Sequence, residues 1–254
     1  IRRPPRSTQS RSSAASDVYK RQAEEDVLHD ISFVARPGQM TAFIGPTGSG
    51  KSTIVNLIPR FYKATCGSIL VGGMDICQVA LRDLRDKIGY IPQKGTLFSG
   101  TIESNLRYAL EDADEERLRE ALAIAQASEL IETNPAGLEA EVAQGGMNLS
   151  GGQKQRMAIA RALVKKPPIF IFDDSFSALD FRTELALRKA LREKLADSTV
   201  LVVTQRISTI MNADQIIVLE EGRIVGRGTH AELLRDCEVY RDMALTQIGE
   251  EALA

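Results

Sequence analysis

An α/β fold with a mostly parallel sheet is what this 254-residue sequence predicts, and three observations carry the prediction. Short apolar runs suited to buried strands alternate with helical stretches. A glycine-rich turn joins one such run to the helix after it. The middle of the chain reads as a long helical block, which predicts an inserted α-helical subdomain over about residues 94–165. Taken in order, Ile31, Phe33 and Ala35 alternate ahead of the Pro37-Gly38 turn and predict a strand. The apolar run 40–44 ends in glycines, as a buried parallel strand does. A helix is expected over 51–60, then a hairpin over 68–76 turning on Gly72-Gly73, then a strand over 88–91. Within 101–165, Leu118, Ala121, Leu122 and Ala125 share one helix face. A strand over 169–172, a helix near 183–195, strands over 199–203 and 215–219, an antiparallel return over 223–225 and a helix near 229–235 complete the pattern. Helices should cover both faces of the sheet, with an antiparallel β portion at its edge.

Composition narrows the function classes. The net charge of −2 supplies no general basic field, so nucleic acid is not an expected partner. Cys66, Cys77 and Cys237 lie far apart with no paired spacing, which suits free thiols better than a disulfide frame or a zinc site. No run approaches the ~18 consecutive apolar residues of a membrane-spanning helix.

Two motifs carry chemistry, the second only when paired with the first. Gly45-Pro46-Thr47-Gly48-Ser49-Gly50-Lys51-Ser52, with Thr53 beyond it, has the spacing of a phosphate-binding P-loop between a strand and a helix. Its glycines let successive N–H groups turn toward phosphate, and the helix N-terminus adds its positive end. Lys51 would put a charge on the outer phosphates and Ser52 would be a Mg²⁺ ligand, so ATP and Mg²⁺ are the expected cofactors. Ile169-Phe170-Ile171-Phe172-Asp173 is an apolar strand ending in a carboxylate. It delivers Asp173 to the sheet edge where nucleotides bind and where a carboxylate can hold Mg²⁺.

Leu149-Ser150-Gly151-Gly152-Gln153, opening a helix that runs past Arg161, makes the resemblance specific. It resembles the signature motif of the ABC (ATP-binding cassette) ATPases. The resemblance implies a P-loop NTPase with a RecA-like core, and a signature (Ser150, Gly151, Gly152 and Gln153) that closes over ATP held by an opposite subunit in a head-to-tail dimer. Gln93 resembles the Q-loop residue that senses Mg²⁺ and contacts a transmembrane domain. Ser177-Ala178-Leu179-Asp180 resembles the D-loop, which brings Asp180 to the dimer interface. Glu141 to Gly146 and the stretch from Thr96 to Ile102 resemble text of the exporter subfamily. An exporter would place the domain on the cytoplasmic face of the plasma or inner membrane, through a transmembrane domain fused upstream.

Two positions depart from the family pattern. Asp174 stands where the family's general base is usually Glu, and Gln205 stands where its switch residue is usually His before Arg206. The Asp174 carboxylate is one methylene shorter and would stop about 1–1.5 Å short of the attacking water. Gln205 can donate a hydrogen bond to phosphate but cannot become a cation or relay a proton. With Gln93, these are the candidate catalytic residues, while Ser52, Gln93 and Asp173 are the candidate metal ligands. The pair of departures resembles the degenerate-site half of a heterodimeric multidrug or lipid exporter. It implies a site that binds ATP and hydrolyses it slowly, paired with a non-identical nucleotide-binding domain that carries Glu and His.

Residues 1–22 are rich in Arg, Ser and Pro, lack an apolar period and reverse the charge of the rest. A basic arm for nucleic acid or acidic lipid, or a transit peptide, would have that charge. The stretch resembles translated sequencing-adapter text, so residues 1–22 are read as a non-native, disordered leader and 23–254 as the nucleotide-binding domain. The adenine-stacking aromatic of relatives would fall near Lys20, beside Tyr19. His29 and His230 are expected to be surface or structural residues rather than catalytic ones. The alternatives are an importer ATPase, encoded apart from its membrane subunit, and a soluble ABC ATPase of DNA repair, chromosomes or translation. The second would place a coiled coil between Lys51 and Leu149 or carry two domains.

Overall fold

Strands with no polar alternation become the middle of the sheet, and the computed structural model describes this arrangement for residues 27–249. β1 (Met40–Ile44) leads through the glycine turn into α1 (Lys51–Leu57), and the hairpin β2 (Leu70–Val71) and β3 (Met74–Asp75) follows. Gly72 and Gly73 take φ of 59° and 80°, the two left-handed positions that a tight type I′ hairpin requires. α2 (Leu81–Asp86) brings the chain to β4 (Ile88–Ile91). The middle block holds β5 (Gly100–Thr101), α3 (Ile102–Arg107), α4 (Glu115–Ile124), α5 (Glu129–Glu132), β6 (Glu141–Val142) and α6 (Gly151–Lys165). The chain then runs through β7 (Ile169–Asp173), α7 (Phe181–Lys194), β8 (Thr199–Val203) and α8 (Ile207–Ile210). It continues with β9 (Gln215–Glu220), β10 (Arg223–Gly228), α9 (His230–Asp236) and α10 (Glu238–Ile248).

Six strands form one sheet in the order β10-β9-β1-β8-β7-β4, parallel except for the β9–β10 pair. Side chains on each strand alternate between two cores. Phe170 and Phe172 enter the core built by α3, α4, α6, α7 and the last helices, whereas Ile171 enters the core under α1 and α2. Burying each such side chain contributes about 1.5–3 kcal/mol, so the apolar run fixes which strand is central. Because β1, β8 and β7 are adjacent and parallel, the ends at Ile44, Val203 and Asp173 open onto one edge. That edge carries the glycine turn.

Three features differ from the sequence reading. Ile31, Phe33 and Ala35 do pack inward at alternate positions, with Phe33 edge-on to Phe43 at 5.2 Å, but no strand forms over 31–35. The apolar alternation is satisfied by packing while the backbone joins no ladder. The helical block also contains a short ribbon, where Gly100 and Thr101 pair with Val142 and Glu141. Finally, α2, α8 and α10 are helices that the sequence reading leaves out. α2 is too short for a period, and α10 fully buries only Tyr240 and Ala244. Cys66 and Cys77 are exposed and Cys237 buried, all as free thiols. No helix among the described residues is long and apolar enough to cross a membrane. The 1–22 leader, Tyr19 and Lys20 lie outside the described residues.

Candidate nucleotide site

The glycine turn is shaped by contacts that only glycine permits. A Cβ on Gly45 would lie 2.0 Å from the Leu219 carbonyl oxygen, so the chain leaves β1 close against β9. Gly50 sits at φ 95° as the N-cap of α1, and no side chain caps the helix. The first N–H groups of α1 are thereby left for an anion. Lys51 is buried, with Nζ donating to Gly45 O at 2.8 Å and Pro46 O at 2.6 Å, and 3.3 Å from Ser49 Oγ. Burial lowers the Lys51 pKa from its ordinary value, while Asp174 and Asp173 oppose that shift.

Ser52 Oγ donates to Asp173 Oδ1 at 2.8 Å across 121 residues of sequence. A hydroxyl and a carboxylate therefore converge where a hard divalent cation finds the oxygen donors it takes, and the donor set fits Mg²⁺. The other oxygen of Asp173 stands 2.8 Å from the Tyr90 hydroxyl, which also lies 2.9 Å from Asn56 Oδ1. Burial, with the Asp173 charge beside it, holds the Tyr90 phenol well above its usual pKa, so it stays a donor. Sequence reasoning missed Tyr90, whose only signal was one polar tip in the apolar run of β4.

Asp174 follows β7 at φ 47°, a left-handed position that Asp tolerates better than most residues. Its N–H donates to Val203 O at 2.9 Å, which ties it to the end of β8. Its Oδ2 accepts from Gln93 Nε2 at 3.0 Å. Burial raises the Asp174 pKa, the Gln93 bond opposes this, and the neighbouring Asp173 charge adds to the rise. Gln205 is exposed on the turn after β8. Thr47, Gly48, Gly50, Lys51, Ser52 and Thr53 line one cleft of about 290 Å³ together with Gln93, Asp174 and Gln205. Residues up to 158 positions apart in sequence thus share one cavity, with Asp173 bonded beneath it through Ser52.

The signature residues and Asp180 do not line this cleft. Ser150 caps α6 through a capping box: its Oγ accepts from Gln153 N–H at 3.3 Å, and Gln153 Oε1 accepts from Ser150 N–H at 2.9 Å. Gly151 faces open space. Asp180 caps α7 by accepting from Thr183 N–H at 3.0 Å, and hydrogen bonding from Thr183, its side chain first and its backbone second, holds the Asp180 pKa below the ordinary value. Farther along α6, Gln155 is buried and takes Gly95 N–H at 2.8 Å while donating to Pro92 O at 3.0 Å. The signature helix therefore grips the loop on both sides of Gln93, a contact no local pattern announces. His230 lies away from this cleft, with Nδ1 2.7 Å from the Tyr240 hydroxyl.

Comparison with known proteins agrees with this geometry. Residues 28–177 match the family described as ABC transporter. An ABC transporter ATP-binding protein of Mycobacterium tuberculosis is 49% identical over 89% of this chain and 39% of its own length. The ATP-dependent lipid A-core flippase of Pseudomonas aeruginosa is 44% identical over 91% of this chain and 38% of its own. A solved bacterial Atm1-family ABC exporter with ATP bound superposes with a TM-score of 0.86 at 40% identity, covering 89% of this chain and 40% of that one. The chain spans about two fifths of the length of these relatives. Fold, P-loop cleft and relatives converge: the chain belongs to the ABC transporter family and is one of its ATP-binding, ATPase domains.

Proposed function

We propose that this domain powers a membrane exporter, binding Mg·ATP firmly at its own P-loop while turning it over slowly. The flippase and exporter relatives support the exporter assignment. The observation that carries the slow site is that a P-loop of unaltered pattern shares its cleft with Asp174 and Gln205. The Lys51 ammonium and the N–H groups of the glycine turn would hold the phosphates. Ser52 and Asp173, with Gln93 nearby, would hold Mg²⁺, which when bound neutralises charge on the outer phosphate oxygens. Asp174 would take the proton of the attacking water, but its shorter stem and its bond to Gln93 hold the carboxylate back from that task. Gln205 would steady the terminal phosphate as a neutral donor.

The signature, which does not line this cleft, fits a head-to-tail pairing in which Ser150 to Gln153 complete a partner's site. That partner would be a non-identical domain with Glu and His at the matching positions, both held beneath transmembrane domains at the cytoplasmic membrane face. In this reading residues 23–254 form the domain and 94–165 its helical part. The test is ATPase rate against protein concentration for the chain alone. Little turnover is expected even at high concentration, alongside clear Mg·ATP binding. Brisk turnover that rises with concentration would mean that a homodimer is competent, and would reject the unequal pair.

A further inference from the structure

The last helix ends on a side chain that reaches the turn bearing Gln205. Gln247 Nε2 donates to Gln205 O at 2.7 Å, and Gln247 Oε1 accepts from Ile207 N–H at 2.8 Å. One amide thus spans both sides of Arg206, pairing with the backbone as a neighbouring strand would. Its base is rigid: Tyr240 and Ala244 are fully buried in α10, and Tyr240 is bonded to His230. The turn is also held from its other side. Arg206 donates to Ser177 O at 3.2 Å and to the buried Glu184 at 3.1 Å. Among the described residues no hydrogen bond engages the side chain of Gln205, which lines the cleft. The backbone is therefore clamped, and the side-chain amide is left without a protein partner among the described residues of the cleft lining.

We propose that Gln247 is a positioning residue of the ATP site, acting through Gln205. It fixes the turn so that the Gln205 amide points to where the terminal phosphate lies. This rests on the reading of Gln205 as the donor to that phosphate. Gln247 lies beyond the residues that match the family, in a helix with no catalytic motif. Because it is exposed, its replacement leaves no cavity in the core.

Only ATP carries the terminal phosphate, so the clamp should matter to ATP and not to ADP. Calorimetric titration of the full chain with Mg·ATP and with Mg·ADP separates the cases, for the parent, Gln247→Met, Gln205→Ala and the double variant. Gln247→Met should weaken ATP by about three- to tenfold, the scale of one or two lost hydrogen bonds, and leave ADP unchanged. The double variant should bind ATP no worse than Gln205→Ala alone. Amide exchange at Ile207 should quicken in Gln247→Met, which reads the clamp directly. Equal losses for ATP and ADP, or additive losses in the double variant, would overturn the proposal. If Gln205→Ala weakens ATP and Gln247→Met does not, the clamp is rejected and the reading of Gln205 stands. If Gln205→Ala leaves ATP and ADP alike, that reading fails and the clamp with it.

Discussion

The glycine turn and the corner formed by Asp174 and Gln205 share one cleft, yet they are held in different ways. The turn is built from backbone: Gly45 presses against β9, Gly50 opens the N-terminus of α1, and Lys51 is buried seven residues after the strand ends. The corner is held by side chains from distant segments. Gln93 reaches Asp174, Gln247 reaches Gln205, and Glu184 reaches Arg206, over separations of 81, 42 and 22 residues. Most of the phosphate-binding geometry is therefore a local property of one strand, turn and helix. In the proposed reading, turnover depends on a set of contacts that can each be altered at a cost of no more than about tenfold in ATP affinity. The difference would let one chain keep an unaltered P-loop beside an Asp at the position proposed for the base.

The largest expected effect breaks the binding half. Lys51→Ala removes the charge on the outer phosphates and should weaken Mg·ATP by more than about 100-fold, measured by calorimetry, with the melting temperature little changed. Binding as tight as the parent's would reject the phosphate role of Lys51. A smaller effect sharpens the turnover half. A general base must be deprotonated, and burial raises the Asp174 pKa, so single-turnover hydrolysis should fall at a pH above the ordinary carboxylate range as acid is added. Gln93 donates to the charged form and so holds that pKa down. Gln93→Leu should therefore move the acid limb to higher pH, whatever it does to the plateau. A limb that stays put or moves down would separate the limb from Asp174.

The two halves were not equally legible in the sequence. The bounds of β1, β4 and β8 follow from apolar runs closed by turn residues, and the P-loop is a contiguous motif whose glycines each have a local reason. The capping box at Ser150 is likewise local, and it satisfies the helix end whether or not a partner's ATP is present. The strand expected over 31–35 failed because alternation reports packing, whereas a strand also needs a neighbour's backbone. α10 was missed because so little of its surface is buried, and with it went Gln247. Tyr90, Gln155 and Glu184 escaped for a related reason. Each is a polar residue whose partner lies 20 or more positions away, and pairing at that range is set by the sheet order rather than by spacing.

Asp174 and Gln205 are proposed to slow a site that still binds. The most direct test is the rate of ATP hydrolysis by the parent and by Asp174→Glu combined with Gln205→His, each measured against protein concentration with ATP affinity recorded beside it. The double variant should turn over at least about tenfold faster, within the ~10²–10⁴ span of a restored general base, with affinity nearly unchanged. A parent that already hydrolyses ATP as fast as the double variant would contradict the claim and make Asp174 a competent base.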